Sequence, residues 1–177
     1  MKYLNLIFFF IIFTSCNSLS TRKLEKLLHK NEAELKEVAN YFLNQTAIEF
    51  ISIGTEYDSA VCQSINHWLN CPSQGPTWHK YSTKIKSQMY VNSIDEVLQE
   101  ENIDSKSFYY IHDFLRRNKL ESISRGYFPC KNCVEFGSFL TGLRYYAVKP
   151  NDLKENYEYL YVKRINENWF VFKRDWN

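Results

Sequence analysis

From Asn118 to the C-terminus, apolar residues recur at every second position, and a sustained period of two admits little besides β-structure. Val134, Phe136 and Leu140 share one face and Leu143, Tyr145 and Ala147 another. Tyr157, Tyr159 and Tyr161 oppose Leu160 and Val162, and Trp169 and Val171 oppose Phe170 and Phe172. Turn signals at Cys130 to Cys133, Thr141-Gly142, Pro150-Asn151-Asp152 and Asn166-Glu167-Asn168 separate the runs. Short turns make sequential strands antiparallel, so this half predicts a meander of four or five strands, without the crevice that parallel sheets form where strand order reverses. With 13 Tyr, 13 Phe and 4 Trp against 5 Gly and 4 Pro, the chain has the aromatic stock to fill such faces.

The first part of the chain carries the helical period. Leu24, Leu27, Leu28, Leu35, Val38, Ala39 and Phe42 recur at i, i+3, i+4 and predict an amphipathic helix over residues 22–43. Asn31 interrupts its stripe and, with Glu34, offers a second N-cap. Residues 46–53 and 84–91 read as strands, the second with Ile85, Met89 and Val91 on one face. Ser93 and Glu96 form a capping box ahead of one short helix, and Asp104 caps another carrying Phe108, Ile111, Phe114 and Leu115. The expectation is an α+β domain: an N-terminal amphipathic helix and two short helices packed on one face of an antiparallel meander sheet. This element order resembles small cone-shaped binding domains of the nuclear-transport-factor or cystatin type, a likeness of order alone that carries no residue across.

The 22 basic and 20 acidic residues form no block of five or six like charges, so no arm for nucleic acid is visible. Met1-Lys2-Tyr3, an apolar run from Leu4 to Phe13 broken only by Asn5, and Thr14-Ser15 have the layout of an export signal. About ten apolar residues in a helix span about 15 Å, half of a hydrocarbon core of about 30 Å, which disfavours a membrane-crossing helix. Phe13-Thr14-Ser15-Cys16 resembles the lipobox of bacterial lipoproteins, with Phe13 where leucine is commonest. The resemblance implies removal of residues 1–15 and lipidation of Cys16; the polar residues that follow read as a tether over 16–22, and the remaining length suits a single domain over 23–177. It places the chain in the cell envelope as a membrane-anchored lipoprotein facing the periplasm or the outside. An ordinary signal with a chance cysteine, or an uncleaved anchor, is the alternative.

Four further cysteines, Cys62, Cys71, Cys130 and Cys133, suit an exported protein as disulfides, and local pairing gives Cys62 to Cys71 and Cys130 to Cys133. Cys130-Lys131-Asn132-Cys133 also has redox spacing, but the residues after it look like strand, so the helix N-terminus that lowers a thiol pKa is missing. Zinc is a third option, with His67 and His79 as further ligands, although only the Cys130/Cys133 spacing is typical. His67, Trp68, Trp78 and His79 lie in the least regular stretch and are the binding-loop candidates. His112 falls on an apolar helix stripe, where a core histidine is the expected role, and adjacent Asp113 does not share its helix face. Asp58 and Ser59 near His67 make a catalytic set by proximity in sequence alone. Tyr157, Tyr159 and Tyr161 with Lys163 and Arg144 form a candidate interface strip.

The chain holds no G-x-S-x-G, G-x-x-x-x-G-K-[ST], H-E-x-x-H or G-x-G-x-x-G motif and nothing that names a cofactor. Catalytic residues therefore stay unassigned, and no metal or cofactor is expected. The functional expectation is a binding or structural role in the envelope, with the membrane as one partner and a protein as another. An envelope hydrolase or thiol oxidoreductase, and an immunity or inhibitor protein, are the rival classes.

Overall fold

The computed structural model describes residues 20–53, 62–71, 76–125, 132–138, 140–150 and 159–174. In chain order these form α1 (Thr21–Asn44), β1 (Phe50–Ser52), β2 (Gln63–Ile65), β3 (Trp68–Asn70), β4 (Trp78–Ser82), β5 (Ser87–Val91), α2 (Ile94–Glu100), α3 (Ser105–Arg117), β6 (Ser122–Arg125), β7 (Cys133–Gly137), β8 (Thr141–Tyr146), β9 (Tyr159–Arg164) and β10 (Trp169–Arg174). The strands join one antiparallel sheet in the order β5-β4-β3-β2-β1-β6-β7-β8-β10-β9. The class is mixed α+β, as the two periods in the sequence require.

The helix stripe is buried where expected, at Leu24, Leu28, Leu35, Val38, Ala39 and Phe42, and α1 lies against β7, β8 and β10. Asn31 leaves helical geometry (φ −126°, ψ 24°) and kinks α1, and its side-chain amide donates to Asn118 Oδ1 at 2.7 Å just past α3. Ser93 and Asp104 cap α2 and α3 through the backbone N–H of Glu96 and Ser107. Beneath the helices, Ile65, Ile51, Ile123, Phe136, Leu143 and Val171 stand in one lateral row across β2, β1, β6, β7, β8 and β10, all buried. Each contributes roughly 1.5–3 kcal/mol of apolar burial, and a one-residue slip of any of these six strands would carry its member of the row to the other face.

Three expectations fail, each for a local reason. The stretch around His67 to His79, expected to be the least regular, contains β3, directly follows β2 and runs into β4. Three-residue strands are too short to show a period, and their turn is held by Asn66 at φ 51°, whose side chain bonds Glu49 N–H at 2.8 Å and the Ala47 carbonyl at 2.9 Å. The strand expected from residue 84 starts at Ser87, because Thr83 to Lys86 form the turn and Ile85 is exposed. The C-terminal strands do not run as a simple meander, since β10 sits between β8 and β9. The strand buried on both faces, with Trp169, Phe170, Val171 and Phe172, takes the interior, while β9 with exposed Tyr161 and Val162 takes the edge.

The C-terminal end of α1 is closed by a residue 80 positions away in sequence. Arg125 donates to the carbonyls of Phe42, Leu43 and Gln45 at 3.2, 3.1 and 2.8 Å and to Ile48 O at 3.1 Å. These include carbonyls that a helix end leaves without partners. Arg125→Met keeps the stem and removes the donors, and is expected to cost about 3 kcal/mol in urea denaturation. A loss under about 0.5 kcal/mol would mean that water serves these carbonyls equally well.

Candidate binding site

Alternate residues of the same strands point to the sheet face away from the helices. Register aligns Phe50, Ser124, Glu135, Arg144, Phe170 and Arg164 in one row, and Ser52, Ser122, Gly137, Gly142, Phe172 and Val162 in the next. The second row is low because its centre is glycine. A Cβ on Gly142 would stand 2.7 Å from the Phe172 ring and 2.5 Å from Phe136 O, and Gly137 has φ +135°. Beside this floor lies a cavity of about 230 Å³, lined by Phe50, Ser52, Glu121, Ser122, Ser124, Glu135, Phe136, Gly137, Ser138, Phe172 and Arg174.

One wall is charged and buried. Glu135 accepts from Arg144 Nε at 2.8 Å and from Arg144 Nη2 on one carboxylate oxygen, and from Arg174 Nη2 at 2.6 Å on the other. The Glu135 and Arg144 side chains are both only 6% exposed. Both guanidiniums also lie over the Phe172 ring, at 5.4 Å for Arg144 and 4.7 Å for Arg174, and Arg164 lies 5.7 Å from the Phe170 ring.

The other walls are hydroxyls and one carboxyl. Ser122 Oγ donates to the Gly137 carbonyl at 2.9 Å and Ser138 Oγ to the Thr141 carbonyl at 3.2 Å. Glu121 is half-buried, and among the described residues its carboxylate has no hydrogen-bond or ion-pair partner. Burial pushes its pKa up. No serine of the cavity is hydrogen-bonded to a histidine or carboxylate among the described residues, so no nucleophile–base pair is assembled there. The arrangement suits binding: apolar rings at Phe50 and Phe172, with hydrogen-bonding groups between them.

The three described cysteines are disulfide-bonded. Cys62 bonds Cys71, with Cα atoms 4.2 Å apart, just beyond the Gln63 and Asn70 pair that ends the β2–β3 hairpin. That bond removes both from any set of thiolate ligands, and among the described residues no cluster of three metal-ligating side chains occurs. Cys133 is also disulfide-bonded and buried, and it opens strand β7 rather than a helix. Cys130 and Cys16 lie outside the described residues, as do Asp58, Ser59 and Tyr157.

The four binding-loop candidates do not meet. His67 is exposed at the β2–β3 turn, Trp68 and Trp78 are buried in the helix-side core, and His79 lies on the opposite face with its ring 6.3 Å from Tyr90. The proposed tyrosine strip divides as well. Lys163 is on the helix side, bonded to Glu25 at 2.9 Å, whereas Arg144 is buried on the other face. His112 is only partly buried on α3, its ring 5.5 Å from Phe108, and its Nδ1 reaches Asp113 Oδ1 at 3.5 Å, closer than helix geometry suggested.

Sequence reasoning passed over Glu135, Arg144 as its partner, Arg174, Glu121 and Glu101. The available signal was parity: Glu135 and Arg144 are charges inside strands whose every other position is apolar or small. Glu101 follows α2 and gathers the β2–β3 turn, accepting from Lys80 Nζ at 2.7 Å, Trp68 Nε1 at 2.8 Å and Asn66 Nδ2 at 3.0 Å. Burial raises its pKa, but these hydrogen bonds and the Lys80 charge outweigh it and hold the carboxyl below the usual 4.5. No family model, curated protein or solved structure matches this chain.

The two carboxyls titrate in opposite senses. A lowered native pKa makes Glu101 a stabilising group above the unfolded value, and that stability is lost as pH falls below 4.5 through the native pKa. A raised native pKa makes Glu121 protonated in the fold where the unfolded chain is ionised, so its contribution worsens as pH climbs past 4.5. Denaturation curves against pH are therefore expected to show Glu121→Gln more stable than the parent at pH 7 and equal to it at pH 3. Glu101→Gln is expected to be less stable at pH 7, with the gap closing in acid. The reverse order at pH 7 would contradict both assignments.

Proposed function

We propose that the chain is an exported lipoprotein of the bacterial cell envelope, processed at Cys16, whose single α+β domain over residues 23–177 holds a small ligand on the sheet face opposite the described helices. The observation that carries the binding role is the cavity on that face. Its floor is kept low by Gly137 and Gly142, its rings are Phe50 and Phe172, and Glu121 lines it. The ligand class that fits has an apolar ring or chain to lie between the phenylalanines and hydrogen-bonding groups to meet Ser52, Ser124 and Glu121.

Support for export comes from the Phe13-Thr14-Ser15-Cys16 signal and from the Cys62–Cys71 bond, which is at home in an oxidising compartment. No described helix is long and apolar enough to cross a membrane, so attachment in this reading falls to acyl chains on Cys16. In this reading the helices serve the core and the opposite face serves the ligand.

Two measurements test the two halves. Intact mass of the chain purified from an expressing bacterium is expected to show a mature N-terminus at Cys16 bearing acyl chains, with Cys16→Ser neither acylated nor membrane-bound. A chain cut elsewhere with unmodified Cys16 would overturn the anchor. In a ligand-observed NMR screen of small ring compounds, binders are expected to lose contact in Ser124→Phe, which fills the cavity. Binders indifferent to that substitution would overturn the site.

A further inference from the structure

We propose that the β4–β5 hairpin is a membrane-docking element that lays its tip on an anionic lipid surface. The proposal relies on the anchored reading only to bring the domain to a membrane, and the contact itself is argued from the hairpin. Between Asp58 and Asp95 the chain has no acidic residue. The hairpin lies within that stretch and carries Lys80, Lys84 and Lys86. Lys80 is taken by Glu101 at 2.7 Å. Lys84 and Lys86 are exposed in the turn, and no carboxylate pairs with either among the described residues.

Between these two lysines stands Ile85, 58% exposed. Just above the turn, Tyr81 and Tyr90 lie on the same face, opposite the described helices, because Tyr81 pairs with Gln88 and His79 with Tyr90, and both tyrosines are 62% exposed. Leu69, 41% exposed, continues the patch beside His79. An isolated exposed isoleucine needs no explanation. An isoleucine at a turn apex, flanked by two unpaired lysines and backed by two tyrosines, has the vertical order of a membrane interface. The aliphatic tip enters the acyl boundary, the ammonium groups meet lipid phosphates, and the phenol rings sit at headgroup level.

Charge decides which surface. Each lysine near an anionic bilayer is worth about fivefold in partitioning, so Lys84 and Lys86 together supply about 25-fold that a zwitterionic bilayer does not. The tip alone is a weak binder. On a tethered domain it sets orientation, turning the edge of the sheet at β5 toward the bilayer.

The test uses the full chain with vesicles of phosphatidylcholine alone or containing phosphatidylglycerol, reading flotation and amide hydrogen exchange over residues 81–90. Flotation with both vesicles, and slower hairpin exchange only with phosphatidylglycerol, reversed by high salt and by Lys84→Glu with Lys86→Glu, is the expected result. Flotation with both and identical hairpin exchange would overturn the docking element while leaving the anchor intact. Flotation only with phosphatidylglycerol, abolished by the double charge reversal, would support the hairpin and count against the anchor. No flotation with either would overturn both. Ile85→Asp, at an exposed turn position, provides a second variant and is expected to remove the protection without altering the far-UV spectrum.

Discussion

A carboxylate set into the middle of a β-sheet and shut off from water has to be met by positive charge, and Glu135 is met twice. Its two oxygens take Arg144 from the neighbouring strand and Arg174 from the end of β10. An unpaired buried ion would cost several kcal/mol, so the three strands hold one relative position or lose that compensation. On the helix side, the apolar row from Ile65 to Val171 specifies the same register by shape. Shape on one face and charge on the other thus agree, and agreement between levels is what gives a sheet one structure.

The polar layer also explains why this face is not flat. Arg144 and Arg174 lie over Phe172, the Phe172 ring lies on Gly142, and Gly137 leaves the position beside it bare. The cavity is the space left over from that stacking, with the small side chains of Ser52, Ser122 and Ser124 beside Phe50 on the β1 and β6 side. A helix packed on this face would have had to cover the Glu135 network. The described helices instead share the apolar core, and the opposite surface carries the cavity in its centre and the exposed Tyr81, Ile85 and Tyr90 at the β4–β5 end.

Much of this could be read from the chain, and the remainder could not, for reasons of range. The long helix, its break at Asn31, both capped helices and the parity of Trp169 to Phe172 follow from contacts between near neighbours, and the structure has them. Strands of three residues carry too few alternations to be seen, so β2 and β3 passed for loop, and Trp68 and Trp78 passed for ligand contacts when they are core. The local Cys62–Cys71 bond was legible because it closes a short hairpin. The site was not, because Phe50, Glu121, Glu135 and Arg174 converge only through the order of β1, β6, β7, β8 and β10, and that order places β10 inside β9.

The most direct measurement is a double-mutant cycle on the buried pair, with the parent, Glu135→Leu, Arg144→Leu and the double variant compared by chemical denaturation of the full chain. If the charged layer holds the sheet in register, each single change leaves an uncompensated ion and costs about 3–5 kcal/mol, and the double variant recovers at least about 2 kcal/mol of the summed loss. Additive losses, with coupling under about 0.5 kcal/mol, would contradict the account and leave the helix-side core as the sole determinant of the fold.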